Sequence, residues 1–170
     1  MSKMAKRDKR FEVRVMCGPS ASGKSTYIDG LLEELGDEVL VICPDQIIID
    51  ACGGSYDWTW WRAKDAWKKA WVQLEEAMRS RTHRIIIFDA LHVTPKSRRE
   101  MIKHLAEFDS NGKYQSALIM TPPVELEELV RRDAARERGT IGEEVIVKQI
   151  NNLRKKAPDL SEGWDRIDQL

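Results

Sequence analysis

The sequence has no excess of either charge: 28 lysines and arginines balance 28 aspartates and glutamates among 170 residues. This balance excludes a protein that coats nucleic acid by bulk positive charge, but it does not exclude a local basic groove. Long apolar runs are missing too, so no segment reaches the roughly 20 residues of a membrane-spanning helix. The N-terminal residues are charged and do not resemble a signal sequence. We therefore expect a cytoplasmic protein with no membrane partner.

Cysteine is scarce, with three residues that lack the spacing of a metal site. Cys17 and Cys43 each end an apolar run, which predicts buried thiols in a reducing compartment. Internal repeats and low-complexity segments are absent, and the length fits one domain. We predict a basic, disordered tail over residues 1–10 and one domain over residues 11–170.

Strand-like apolar runs alternate with helical patterns along the rest of the chain. We predict strands over 11–17, 38–43, 84–89 and 115–120. The predicted helices run from the first loop to Gly36, over 46–51, from about Asp57 to Arg79, from Pro95, and over 123–138 and 143–155. Nearly apolar strands that alternate with helices indicate an α/β fold, a three-layer sandwich with a mostly parallel central sheet. Ligands bind beyond the C-terminal ends of such strands.

Residues 18–25 read Gly-Pro-Ser-Ala-Ser-Gly-Lys-Ser, the phosphate-binding loop pattern G-x-x-x-x-G-K-[ST]. Its glycines let the backbone amides point inward at phosphate oxygens, Lys24 places a cation on the β- and γ-phosphates, and the Ser25 hydroxyl ligates Mg²⁺. A strand precedes the loop and a helix follows it, as this motif requires. We assign ATP binding to Gly18, Pro19, Ser20, Ala21, Ser22, Gly23, Lys24, Ser25 and Thr26.

Two aspartates follow predicted strands. Asp89 ends the run Ile-Ile-Ile-Phe-Asp, a Walker B pattern that holds Mg²⁺ directly or through water. The alternative is a helix cap or a loop salt bridge. Asp45 stands two residues beyond the second strand, where it can orient a hydroxyl and accept its proton. The alternative for Asp45 is that it caps the short helix over 46–51.

Four arginines lie on the helix predicted over 123–138, which runs into a segment with two glycines: Arg131, Arg132, Arg136 and Arg138. An arginine from a mobile lid commonly stabilises the charge that develops on a transferring phosphate, and the glycines suit a hinge. The alternative is a solvated helix face on which these arginines pair with neighbouring glutamates.

The sequence also contains six tryptophans. Trp60, Trp67, Trp71, Leu74 and Met78 repeat at helical spacing, which predicts one apolar stripe against the core. Trp58 and Trp61 lie off this stripe. Either they form a platform on which an acceptor base stacks, or they pack at the helix entry. The packing interpretation is favoured, because aromatic side chains are more often buried than exposed.

Together these motifs resemble the kinase module of bacteriophage-type polynucleotide kinases and the small P-loop kinases around it, including the zeta-toxin-related group. The matching pieces are the loop 18–26, Pro44-Asp45, Asp89 followed by 94–99, and 130–133 running to 138–140. The resemblance covers nearly the whole chain and implies a kinase-type P-loop NTPase with a helical lid.

The resemblance also implies ATP and Mg²⁺ as cofactors. It implies Lys24 on the phosphates, Ser25 on the metal, Asp45 as general base and Arg138 as lid arginine. Arg136 is the alternative lid arginine. We add Asp89 as a metal ligand and Arg131 as an ATP ligand.

The expected acceptor is a hydroxyl of a nucleic acid, either a 5′-hydroxyl or a hydroxyl on a modified base of phage DNA. A phage-encoded enzyme would then act in the host cytoplasm. The alternative is a kinase for a nucleoside, nucleotide or other small metabolite, and a third class is a nucleotide-dependent switch without kinase turnover. Two departures concern the acceptor: Ile48 and Leu91 stand where family members often carry arginine and asparagine. No protein partner is evident.

Overall fold

The computed structural model describes residues 11–170, and the predicted tail over 1–10 lies outside the described residues. The strands are β1 (Phe11–Cys17), β2 (Val39–Ile42), β3 (Ile85–Phe88), β4 (Tyr114–Met120) and β5 (Arg166–Gln169). The helices are α1 (Lys24–Leu35), α2 (Pro44–Ala51), α3 (Trp60–Ser80), α4 (Pro95–Phe108), α5 (Leu126–Ala134) and α6 (Glu143–Lys155). Within residues 11–170, no helix is both long and apolar enough to span a membrane.

The five strands form one sheet in the order β2-β3-β1-β4-β5, and all four pairings are parallel. The predicted fold class is therefore confirmed. The sequence reading missed β5, whose residues Arg-Ile-Asp-Gln lack the apolar run of the other strands. This strand pairs with β4 alone and is half-exposed, so its side chains need not be apolar.

Helices cover both faces of the sheet, which makes three layers. On one face Met16, Ile87 and Ile119 pack against Ile28 of α1. On the other face Val15 and Phe88 pack against Leu74 of α3 and Met101 of α4. Because side chains alternate along β1, its consecutive residues Val15 and Met16 pack on opposite faces of the sheet.

Several helix boundaries differ from the prediction: α2 begins at Pro44 and α5 at Leu126, and two further differences concern candidate site residues. The first residue of α3 is Trp60, and its N-cap is Thr59, not Asp57. Asp57 forms an ion pair with Arg62 instead. Helix α5 ends at Ala134, so Arg136 and Arg138 lie in the loop between α5 and α6, not on a helix as predicted.

The loop between β3 and α4 holds a buried histidine in a left-handed conformation. His92 has φ 47°, and its Nδ1 lies 3.0 Å from the carbonyl oxygen of Met16. The His92 carbonyl accepts hydrogen bonds from the Arg98 guanidinium and the Cys17 thiol. Arg98 is itself fully buried and bound to Glu162 at 2.8 Å. These contacts fix the loop that follows Asp89.

This buried histidine predicts that the protein is less stable in acid. Burial lowers the pKa of His92 from 6.5 to about 4. The unfolded chain binds the proton more readily, so the stability that neutral His92 provides is complete above about pH 6.5 and is lost as the pH falls towards 4. A shift of this size corresponds to roughly 3 kcal/mol.

We therefore expect the free energy of unfolding to fall by about 3 kcal/mol more in the wild type than in His92→Asn between pH 6.5 and 4. Asparagine does not titrate in this range and tolerates a positive φ. Urea denaturation at a series of pH values measures the difference. Parallel pH profiles for the two proteins would show that His92 is not responsible.

Candidate active site

The predicted phosphate loop joins β1 to α1. Its turn is so tight that two positions, 18 and 23, require glycine. A Cβ atom on Gly18 would collide with the hydroxyl oxygen of Thr121, which directly follows β4. Gly23 has φ 108°, and Ala21 has φ 63°. Left-handed residues in such a turn direct successive amides into one concave nest, which is an anion-binding geometry.

Several contacts that the sequence did not reveal hold the loop in place. The Thr121 hydroxyl donates to the Ser22 hydroxyl at 2.8 Å. The backbone N–H of Ser20 donates to the side-chain oxygen of Gln149 at 2.8 Å. Gln149 lies on α6 and is 7% exposed. A glutamine within a predicted helix carries no signal of this role, because the contact spans more than 100 residues.

Lys24 reaches back over the loop that precedes it. Its Nζ donates to the carbonyl oxygens of Gly18 at 3.1 Å and Pro19 at 2.8 Å. Burial lowers the pKa of Lys24, whereas the charges of Asp89 and Asp45 oppose this shift. The backbone N–H groups of Lys24 and Ser25 begin α1, and no backbone acceptor meets them within residues 11–170. They are free to bind an anion such as a phosphate.

Asp89 directly follows β3, and its Oδ1 atom is buried without a hydrogen-bond partner among the described residues. Burial raises the pKa of Asp89, and the positive charge of Lys24 opposes that effect. Asp89 forms no ion pair within residues 11–170, so the salt-bridge alternative has no support there. An unpartnered carboxylate oxygen is a ligand that Mg²⁺ prefers, and the Ser25 hydroxyl stands at the start of α1. The unpartnered Asp89 oxygen is compatible with the predicted magnesium ion, and Asp89 and Ser25 as its ligands stay a prediction.

Asp45 lies in the first turn of α2, beyond the end of β2. The helix begins at Pro44, its N-cap is Cys43, and no side chain caps it, so the capping alternative is wrong. The Asp45 carboxylate accepts a hydrogen bond from the Tyr56 hydroxyl at 3.4 Å. Burial and the charge of Asp45 raise the pKa of Tyr56 to about 12. Tyr56 was not predicted as a site residue, since a lone tyrosine after Gly53-Gly54 has no motif.

The four arginines divide into two pairs. Arg131 is exposed and binds Glu128 at 2.7 Å, whereas Arg132 binds Glu128 and also donates to the carbonyl oxygen of Ala21 at 3.3 Å. Arg132 is therefore the member of this pair that contacts the phosphate loop, and ATP binding by Arg131 stays a prediction. Arg136 is half-buried and Arg138 is exposed.

The tryptophans do not all follow the predicted pattern. Trp67 and Trp71 pack against Phe88 with ring centroids 5.6 and 5.1 Å apart, as the stripe predicts. Trp60 is 64% exposed, so its assignment to the stripe is wrong. Trp58 and Trp61 are 59% and 58% exposed, so the favoured packing at the helix entry is wrong as well. These three exposed rings, Trp58, Trp60 and Trp61, are called the tryptophan cluster below.

The sequence model of an AAA domain family, AAA_33, matches residues 13–160, which include the loop, both aspartates and all four arginines. The chain belongs to this AAA domain family. No curated protein matches the chain.

Solved structures that resemble this AAA domain include kinases and a chain of a repair complex. A chain of the Pnkp1/Rnl/Hen1 RNA repair complex has a TM-score of 0.71 and 20% identity, and the match covers 91% of this chain but 47% of that one. Shikimate kinase from Acinetobacter baumannii, in complex with shikimate, has a TM-score of 0.57, 16% identity and coverages of 97% and 87%. A gluconokinase from Sinorhizobium meliloti 1021 has a TM-score of 0.52, 17% identity and coverages of 96% and 83%. At these identities the likeness shows the P-loop kinase fold.

Ile48 and Leu91, the two residues that depart from the resembled family, both have structural contacts in this AAA domain. Ile48 is 3% exposed within α2, so it contributes to the core and not to an acceptor surface. The carbonyl of Leu91 accepts a hydrogen bond from the Gly18 amide at 2.9 Å. Leu91 therefore helps to hold the phosphate loop.

Proposed function

We propose that the protein is an ATP-dependent kinase that transfers the γ-phosphate of ATP to a hydroxyl of a nucleic acid. The observation that carries this proposal is the placement of Lys24, Asp45 and Asp89 after the C-terminal ends of three neighbouring parallel strands, β1, β2 and β3. The charges of both aspartates act on the pKa of Lys24, which agrees with this placement. A cation for the phosphates, a metal ligand and a base are the parts that phosphoryl transfer to an alcohol requires.

Each residue has one part in the proposed reaction. The amides of the loop and Lys24 bind the β- and γ-phosphates of ATP. Asp45 accepts the proton of the acceptor hydroxyl, whose oxygen bonds to the γ-phosphorus while the bond to the β–γ bridging oxygen breaks and ADP leaves. Magnesium held by Ser25 and Asp89 would neutralise charge on the phosphates. An arginine from the loop after α5 stabilises the negative charge on the transferring group.

The tryptophan cluster supports a nucleic-acid acceptor. It begins two residues after Tyr56, whose hydroxyl contacts the proposed base Asp45. Large exposed aromatic rings mark interaction sites, and a nucleobase presents a flat π-face to such rings. The Trp60 and Trp61 rings meet edge to face, 6.2 Å between centroids, which leaves ring faces for other partners.

A small-metabolite acceptor is the second candidate, and three observations favour it. Ile48 is buried and apolar, and it stands where members of the resembled family often carry an arginine. The chain therefore has no basic side chain at this position to hold an acceptor phosphate beside Asp45. The balanced charge of the chain also provides no broad basic surface. Gluconokinase and shikimate kinase, which have the same fold, are named for small molecules.

If Trp61 stacks on the acceptor, Trp61→Ala should raise KM for the acceptor about tenfold, because stacking provides about 1–3 kcal/mol per base. KM for ATP should change little. Trp67→Ala is the matched control on the same helix: its ring packs on Phe88, so we expect a loss of about 3 kcal/mol of stability instead. Steady-state kinetics and urea denaturation measure both variants. Unchanged acceptor KM in folded Trp61→Ala would remove the stacking role.

An acceptor screen at two salt concentrations separates the candidates. Phosphate contacts make the affinity for an oligonucleotide fall as salt rises, whereas an uncharged nucleoside shows little dependence. We expect acceptor-dependent ADP release with 5′-hydroxyl oligonucleotides, weakened by salt. Salt-independent release with nucleosides or sugars alone would favour the small-metabolite kinase. ADP release that no acceptor stimulates would favour a nucleotide-dependent switch.

A further inference from the structure

The loop between α5 and α6 is tied down by one buried carboxylate. Asp133 is 3% exposed near the end of α5. Its side chain accepts hydrogen bonds from the backbone N–H of Ile141, at 2.9 Å to one oxygen, and of Gly142 at 3.0 Å. A charge buried this deeply must be paired or hydrogen-bonded, so these contacts fix the far end of the loop relative to α5.

The same carboxylate faces an arginine at the near end of the loop. Arg136 Nη1 lies 3.6 Å from Asp133 Oδ1, which is an ion-pair distance but not a hydrogen bond. That nitrogen is buried and has no hydrogen-bond acceptor among the described residues. Buried guanidinium donors rarely remain unpaired, because the missing bond costs free energy. The Asp133 carboxylate therefore compensates this nitrogen by its charge and not by a hydrogen bond.

Arg136 also lies within electrostatic range of the proposed reaction centre. Burial is the main reason why the pKa of Lys24 is lowered, and the charge of Arg136 lowers it further. Burial also dominates the raised pKa of Tyr56, the partner of Asp45, and Arg136 opposes that shift. The Arg136 charge is therefore felt on the phosphate side and on the base side of the site. Arg138 is exposed.

We propose that Asp133 is a positioning residue that presents Arg136, and not Arg138, to the transferring phosphate. This inference rests on the proposed phosphoryl transfer. The carboxylate holds both ends of the loop and orients the guanidinium through charge without consuming its hydrogen-bond donors. The guanidinium nitrogens that do not face Asp133 are then available to the phosphate oxygens, on which negative charge is spread during transfer.

Kinetics of single and double variants test this inference. We expect Arg136→Ala to lower kcat by about 100-fold or more and Arg138→Ala by less than about threefold. Asp133→Asn keeps an oxygen for the amides but loses the charge, so kcat should fall about tenfold with little change in KM for ATP. Because Asp133 acts through Arg136, adding Asp133→Asn to Arg136→Ala should have no further effect. A larger effect of Arg138→Ala, or independent effects of the two changes, would overturn the proposal.

Two readouts do not depend on turnover. In Asp133→Ala, hydrogen exchange at the Ile141 and Gly142 amides should accelerate while the core strands keep their protection. ADP with aluminium fluoride mimics the transferring phosphate, and Arg136→Ala should weaken its binding about 10-fold or more without weakening ADP alone. The two proposals fail in different ways. The proposed function fails if the wild type transfers phosphate to no acceptor. The role of Arg136 fails if the wild type and Arg136→Ala bind this mimic equally well.

Discussion

Lys24→Ala is expected to lower kcat by about 100-fold or more while the fold stays intact. The ammonium group contacts the loop carbonyls of Gly18 and Pro19, not apolar side chains, so its loss opens no cavity in the core. In the nucleotide complex the same cation would neutralise charge on the β- and γ-phosphates, where no other side chain of the loop is positive.

Rapid-quench kinetics measures the loss of turnover, and circular dichroism measures whether the fold is retained. Lys148→Ala is the control, since Lys148 is an exposed lysine on α6 and should leave kcat unchanged. Near-normal turnover in folded Lys24→Ala would refute the assignment of the phosphate loop. An unfolded Lys24→Ala protein would show instead that the lysine is structural.

Asp45→Asn should lower phosphoryl transfer by roughly 10²- to 10⁴-fold, because it removes the proposed base but keeps the shape of the side chain. ATP binding should stay close to that of the wild type. The asparagine can still accept a hydrogen bond from the Tyr56 hydroxyl, so the local structure is retained.

Asp50→Asn is the matched control on the same helix. Asp50 is exposed and binds the Gln46 side chain at 2.8 Å, so its loss should not affect transfer. Isothermal titration with ATP and single-turnover transfer assays compare both variants. Equal rates for Asp45→Asn and Asp50→Asn would remove Asp45 from the chemistry.

The sequence predicted the parts of the protein that depend on local pattern. The loop 18–25, the aspartate after β3 and the four apolar strands each carry a signal within a few residues. A parallel sheet buries its central strands on both faces, so these strands read clearly as apolar runs. The edge strand β5 is not buried on both faces, so its sequence can be polar. It therefore has no apolar run from which a strand could be predicted.

The features that the sequence did not reveal depend on contacts between distant residues. Gln149 supports the phosphate loop from α6, and Tyr56 meets Asp45 after a turn with two glycines. Neither contact corresponds to a sequence motif with a fixed spacing. Trp60 matched the helical period of Trp67 and Trp71, but it is the first residue of α3 and extends beyond the core. Periodicity shows which face a residue shares, not where the packed part of the helix begins.

The central claim is the transfer of phosphate from ATP to an acceptor hydroxyl at this site. Its most direct test incubates the wild type and Lys24→Ala with γ-labelled ATP, magnesium and a 5′-hydroxyl oligonucleotide, and then maps the labelled oxygen by nuclease digestion. We predict label on a hydroxyl oxygen of the oligonucleotide with the wild type and a loss of about 100-fold or more with the variant. Label that appears solely as inorganic phosphate, or equally with both proteins, would contradict the account.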